Sequence, residues 1–274
     1  MTDDLNPQLR EMADESMVRN LAAQAEAIWP QERLLFARYG LPAAASILDA
    51  GCGTGEITLR LSELYPKAEV LGVDVLDEHL ERARARTVHL AGRVRFEHRS
   101  IFELGLPDGG FDLTVCRHVL QAIPHADRAI AELARVTRRG GWLHLICEDY
   151  LMMNFAPRRL DPDDFWAAGP RAFGEATGTD LRIGRNAYRI VKQLGLTDIS
   201  IDYVVVDPIR VPRETFARIW MAWRDGYANA VAENTTMSRE MFIDHFNDMI
   251  ATIEDPAGYG VWHVPVVAAR VPPA

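Results

Sequence analysis

The chain has 274 residues, with 30 Lys+Arg against 39 Asp+Glu, a formal net charge of −9 with His neutral. Hydrophobic residues make up 48% and charged residues 25%, enough apolar side chain to bury a sizeable core, which excludes a disordered chain. The acidic balance argues against non-specific binding to nucleic acid or to an anionic membrane surface.

The first 40 residues read as helix. Residues 14–28 are rich in Ala, Leu, Glu and Gln, Pro30 is expected to break the run, and 31–39 continue to a stop at Gly40. From Ser46 short apolar runs alternate with helical patterns. Strands are predicted over 46–50, 68–75, 93–97, 111–116 and 141–147, and helices over 56–64, 77–89 and 126–138. The strands show little polar alternation, which indicates a parallel sheet covered on both faces. After Glu148 the rhythm breaks. Residues 151–184 carry Pro, Asp and aromatics with no clear strand, 186–194 form a helix stopped by Gly195, and 197–206 form a β-branched strand. Residues 207–258 read as mostly helical, near 213–231 and 238–253, and 260–271 as a last Val-rich strand. The expected organisation is a helical cap over 1–40, a ligand-binding core over 41–150, an insertion over 151–184, core again over 185–206, a helical insertion over 207–258, and a final core strand over 259–274. Both insertions are expected to cover one edge of the sheet.

Cys52, Cys116 and Cys147 lie far apart without a C-x-x-C pair, so no zinc or redox motif is written. That usage suits a reducing cytosol. Residues 1–10 show no signal-peptide core, and no run of 18 apolar residues occurs. A cytoplasmic protein without membrane contact is expected.

Residues 47–56, ILDAGCGTGE, read as strand, tight loop, helix, with Gly51, Gly53 and Gly55 in G-x-G-x-G spacing. Glycines let the backbone take positive φ and come close to a ligand, and the helix start beyond them presents free N–H groups. Asp74 ends the second strand about 20 residues on, where an acid grips ribose hydroxyls. A dinucleotide fingerprint needs a third glycine one position later, but Glu56 stands there. Glu56 and Asp49 would repel a pyrophosphate. Asp49 would instead accept a bond from a cationic α-amino group. The charge pattern fits a zwitterionic sulfonium ligand better than a nicotinamide dinucleotide.

Residues 47–58, ILDAGCGTGEIT, resemble the first motif of the class I adenosylmethionine-dependent methyltransferases. LGVDV resembles their ribose motif, GGFDLTVC at 109–116 their fourth-strand motif, and LARVTRRGGWLHL at 133–145 the segment before strand five. The resemblance covers residues 40–150 best. It implies a Rossmann-like sheet of about seven strands with the last antiparallel, and S-adenosyl-L-methionine as cofactor. It also implies that Asp49, Ala50, Gly51 and Gly53 surround the methionine part, that Asp74 holds the ribose and that Val75 lies against adenine. Ser100 and Ile101 would sit at the adenine edge, although the family commonly has Asp at or beside position 100. Gln24, with Arg19 and Asn20, would close over the methionine carboxylate. Arg117, by its place at the end of strand four rather than by the resemblance, is expected to pair with a nearby carboxylate or a substrate anion, and counts among the cofactor-binding candidates.

Chemistry in such a sheet takes place at the C-terminal strand ends. Strand four ends in Cys116-Arg117-His118 and strand five in Cys147-Glu148-Asp149-Tyr150. His118 has the intrinsic pKa of a base for an acceptor that carries a proton, and Glu148, Asp149 and Tyr150 are candidates to orient it. Strand four supplies no Asp at its end, so no catalytic metal is expected. Trp166 in the first insertion, and Trp220, Trp223 and Tyr227 at i, i+3 and i+7 in the second, either wall a pocket for a planar acceptor or pack on the sheet edge. The implied function is methyl transfer by in-line displacement to a small aromatic or heteroaromatic acceptor of secondary metabolism, at N, O or C. An RNA or protein methyltransferase and a non-catalytic adenosylmethionine-binding regulator are the alternatives. Against nucleic acid stand the charge and the absence of N/D-P-P-Y after strand four, where Arg117-His118-Val119-Leu120 occurs. A homo-oligomer is compatible with the sequence.

Overall fold

A computed structural model describes residues 5–90 and 92–273. Residues 1–4 of the N-terminal stretch and residue 274 of the final-strand segment lie outside the described residues. In chain order the elements are α1 (Leu9–Ala13), α2 (Glu15–Glu32), β1 (Ser46–Ala50), α3 (Glu56–Leu64), β2 (Glu69–Asp74), α4 (Asp77–Arg86), β3 (Val94–His98), β4 (Phe111–Arg117), α5 (Ala126–Val136), β5 (Thr137–Ile146), β6 (Met153–Phe155), α6 (Pro162–Thr177), α7 (Ile183–Gln193), β7 (Thr197–Val206), α8 (Arg213–Asn234), α9 (Arg239–Glu254) and β8 (Gly260–Arg270).

The eight strands form one sheet in the order β3-β2-β1-β4-β5-β8, with β7 on the far side of β8 and the short β6 continuing the β5 side. β1 to β5 pair in parallel, and β8 runs antiparallel to β5, β6 and β7. The period-2 alternation of β1 feeds both faces. Ile47 joins a cluster with Leu61, Leu80 and Leu113, whereas Leu48 and Ala50 join one with Ile130, Leu133 and Ile190. A third, aromatic cluster joins α2, α6, α8 and α9 to β6 and β8. The two insertions meet there, at the β8 side of the sheet.

Three expectations are corrected. Pro30 does not break the first helix, because α2 runs through it to Glu32. The lost N–H falls in the last turn, and the fully buried Ile28 and Glu32 hold that turn in place. Residues 31–39 do not form one helix; a 3-10 turn occupies Leu35–Tyr39 and ends at left-handed Gly40. The first insertion contains β6 and the 16-residue α6, started by Asp161 as N-cap and Pro162 in its first turn and stopped by left-handed Gly178. Among the described residues no helix is long and apolar enough to cross a membrane.

Candidate functional site

The glycine loop turns sharply at the end of β1. Gly51, Gly53 and Gly55 all have positive φ, at 72°, 51° and 76°. The N–H groups of Gly51 and Cys52 both donate to the Val73 carbonyl, at 2.8 and 3.0 Å. Gly53 N–H donates to Asp74 Oδ2 at 2.8 Å, and Leu76 N–H to Asp74 Oδ1 at 3.0 Å. Asp74 therefore ties the loop to β2 besides facing the cavity. A Cβ at position 51 would lie 2.3 Å from Val119 Cγ2, and one at position 53 would lie 2.8 Å from Leu21 Cδ1. Positive φ together with these approaches favours glycine at both positions.

Beside this loop lies a cavity of about 730 Å³ including its mouth. Gly51, Gly53, Asp74, Val75, Ile101, Arg117 and His118 stand in its wall, as expected of a ligand site at the strand ends. A second cavity, of about 460 Å³, is walled by Tyr150, Trp166, Trp223 and Tyr227 with Phe165, Phe173, Phe242 and Phe246. Gln8 stands in both walls.

His118 sits just past β4 with φ 57°, a left-handed conformation uncommon for a residue other than glycine. Gln121 Nε2 donates to its carbonyl at 2.8 Å. Its ring Nδ1 lies 2.5 Å from Glu148 Oε1, and its Nε2 is buried without a partner. A carboxylate on Nδ1 fixes the tautomer that leaves Nε2 free to accept a proton. Burial and the nearby Glu148 push the Tyr150 hydroxyl well above its usual value, so Tyr150 stays neutral.

Arg117 shares its end of β4 with a buried chain of polar groups. Its Nε donates to Glu32 Oε1 at 2.8 Å, His144 Nε2 meets the same oxygen at 2.9 Å, and Tyr39 O–H meets His144 Nδ1 at 2.6 Å. Burial pushes the Glu32 carboxyl up, but the Arg117 charge and His144 outweigh it, and the net direction is down. Arg117 NH2 has no partner.

Other sequence-derived candidates stand behind these walls. Asp49 is buried and accepts the Thr58 hydroxyl at 2.6 Å. Burial raises its pKa to about 6, with Thr58 and Arg117 opposing and Asp74 and Glu32 adding to the rise. Ala50 is packed in the core, and Gln24 is buried in α2. Ser100 Oγ accepts Phe102 N–H at 3.3 Å, closing its own turn. Asp149 is fully taken up: it caps the turn at Leu151 and pairs with Arg185 at 2.5 and 2.8 Å. Trp220 is wholly buried among Phe155, Phe216, Trp223 and Trp262. The aromatic stripe is thus divided, with Trp220 packing and Trp223 and Tyr227 facing the cavity.

The sequence reading missed Gln8, Leu9 and Met12, which α1 and its cap bring to the first cavity, and His79 and Arg99 beside them. The i, i+4 pair Phe242 and Phe246 on α9 was a readable signal for the second.

Residues 47–141 match the sequence model of a methyltransferase domain. Trans-aconitate 2-methyltransferase of Deinococcus radiodurans is 32% identical over 160 residues, 57% of this chain and 60% of that protein. A probable methyltransferase, ltbC, of Aspergillus luteorubrus is 34% identical over 130 residues, 44% of this chain and 45% of that protein. In structure, Haemonchus contortus phosphoethanolamine N-methyltransferase 2 in complex with S-adenosyl-L-methionine superposes with a TM-score of 0.58 at 16% identity, covering 96% of this chain and 60% of that one. The chain spans about half the length of the curated relatives it matches. The glycine loop, Asp74 and the strand-four motif all fall within the matched residues.

Proposed function

We propose that the chain is an S-adenosyl-L-methionine-dependent methyltransferase whose acceptor is a small, uncharged aromatic compound bearing a hydroxyl or N–H group. The carrying observation is the meeting of two unlike cavities. One is built on the glycine loop and Asp74; the other is walled by aromatic rings with no Lys or Arg among its described lining residues.

The residues of the first cavity suit the cofactor. Asp74 carries an acceptor for ribose hydroxyls, Asp49 a carboxylate behind the loop for an ammonium group, and Arg117 an unpaired NH2 for a carboxylate. When bound, adenosylmethionine supplies an electrophilic sulfonium methyl group with a good leaving group. The protein supplies position and a base. His118 Nε2 takes the acceptor's proton as its oxygen or nitrogen attacks, and Glu148 holds the imidazole and balances the imidazolium that forms. Tyr150, neutral and beside Glu148, packs at 5.8 Å against Trp223 and 6.1 Å against Trp166, where it orients the ring. A small-molecule partner, rather than nucleic acid, also agrees with the net charge of −9.

The test supplies purified protein with adenosylmethionine and a panel of hydroxylated and N–H aromatics, and follows adenosylhomocysteine formation. Turnover with at least one such compound is expected, and His118→Ala should lower kcat by about 10²-fold or more. Binding of adenosylhomocysteine without turnover on any aromatic acceptor would refute the proposal.

A further inference from the structure

Gln8 is 3% exposed and is the residue common to the described walls of both cavities. Its side-chain oxygen accepts the Tyr227 hydroxyl at 2.9 Å, and Tyr227 is kept protonated because burial pushes its pKa up. In this arrangement the carboxamide oxygen is occupied, and Nε2 is left buried with no partner; the Tyr227 hydroxyl also lies 3.7 Å from Met12 Sδ. Trp166, in the wall of the second cavity, has its Nε1 in the same condition, as do Trp220 and Trp262 deeper in the aromatic core. The unpaired groups that Gln8 and Trp166 bring are both N–H donors. An unpaired buried donor is costly, and a ligand that brings an acceptor oxygen relieves it. His118 Nε2, in the first cavity's wall with Gln8, has the opposite need and takes a proton.

We propose that Gln8 is a substrate-binding, specificity-determining residue, and that the acceptor is an aryl ketone or quinone carrying a carbonyl oxygen next to the hydroxyl that is methylated. This rests on the aromatic-acceptor reading above. The Gln8 N–H is not used on the attacking oxygen, because a donor there would tie up the lone pair that forms the new bond. It is used on a neighbouring oxygen of the same ring system. The carbonyl takes the Gln8 N–H while the hydroxyl gives its proton to His118. Two complementary bonds of opposite sense fix which edge of a planar molecule faces the cofactor cavity, a choice that the apolar rings of the second cavity leave open.

The test uses the full chain saturated with adenosylhomocysteine, and two probes, 1-naphthol and 2-acetyl-1-naphthol, titrated by calorimetry. Wild-type protein should bind the ketone more tightly. Gln8→Leu, which keeps the bulk and removes the donor, should lower that preference about tenfold, the worth of one buried hydrogen bond. Gln8→Glu, which keeps the shape and replaces the donor by an acceptor, should lower it further. Because the readout is a ratio between two probes on one protein, a general loosening of α1 does not move it. Should Gln8→Leu fail to fold, Gln8→Glu carries the test alone. A preference that is unchanged in the folded variants, or absent in the wild type, overturns the role of Gln8 and leaves the aromatic-acceptor reading standing. Failure of both naphthols to bind the loaded wild type overturns that reading and this inference with it.

Discussion

Asp49 offers a direct measure of what the site holds in reserve. Its carboxyl is 2% exposed, and burial lifts its pKa from the ordinary 3.8 to about 6. A carboxyl whose folded pKa is raised binds its proton more tightly in the folded state, so stability falls as pH rises from 3.8 towards 6 and stays lowered above that. Two units correspond to about 3 kcal/mol above pH 7, and to about 1 kcal/mol at pH 4.5. Asp49→Asn removes the charge and keeps an oxygen for Thr58, which donates to Asp49 at 2.6 Å. Its amide N–H lacks a ready partner, at a cost of about 1 kcal/mol. The net gain at pH 8 is about 2 kcal/mol, or about 4 °C in Tm, and it should vanish near pH 4.5. Adenosylhomocysteine should bind the variant about tenfold more weakly, because a charged acceptor for its ammonium group is gone. The assays are thermal melts at both pH values without ligand, and calorimetric titration at pH 8. A variant no more stable than wild type at pH 8, or a gap independent of pH, would refute the argument that the buried charge is retained for the ligand.

Asp74→Ala should weaken adenosylhomocysteine binding by about 1–3 kcal/mol in the same titration; Asp74→Asn, which keeps one oxygen, should lose less. Glu32→Gln leaves Arg117 buried without its counter-charge and should cost about 3–5 kcal/mol, read as a fall in Tm of about 6–10 °C. Because Glu32's pKa is lowered, its share of stability is present above about pH 4.5 and is lost as pH falls below its depressed value, so the difference between variant and wild type should narrow in acid. Trp220→Ala should cost about 3–5 kcal/mol of stability. Trp223→Ala should instead raise the acceptor KM with a smaller fall in Tm, and equal falls in Tm with unaltered acceptor kinetics would place both rings in the packing.

What could be read from the sequence follows the range of the interactions involved. The loop from Gly51 to Gly55 was legible because positive φ, the preceding strand and the following helix are all written within ten residues. α3 was placed at 56–64 for the same reason, and Gly40 and Gly195 marked their stops by adopting left-handed backbone. α6 was written too, in Asp161-Pro162 and Gly178, but Pro170, Gly169 and Gly174 inside it obscured the pattern. The helix persists because Phe165, Trp166 and Phe173 find a common aromatic core with α8 and α9, a gain that local propensity does not contain.

The site divides along the same line. His118 and Glu148 were each visible as strand-end residues, yet their pairing depends on β4 and β5 lying side by side, with Arg117 opposite Ile146. The Glu32–Arg117 bond joins residues 85 apart in sequence and the Tyr227–Gln8 bond residues 219 apart. No spacing rule connects such pairs, because folding alone makes them neighbours. On the proposed function these are also the bonds that give the chemistry its direction. Glu148 takes up the Nδ1 side of the His118 imidazole and leaves Nε2 without a partner, and Tyr227 takes up the Gln8 oxygen and leaves its N–H without one. The sequence names groups able to donate or accept, and partners distant in the chain decide which atom of each is left for a ligand.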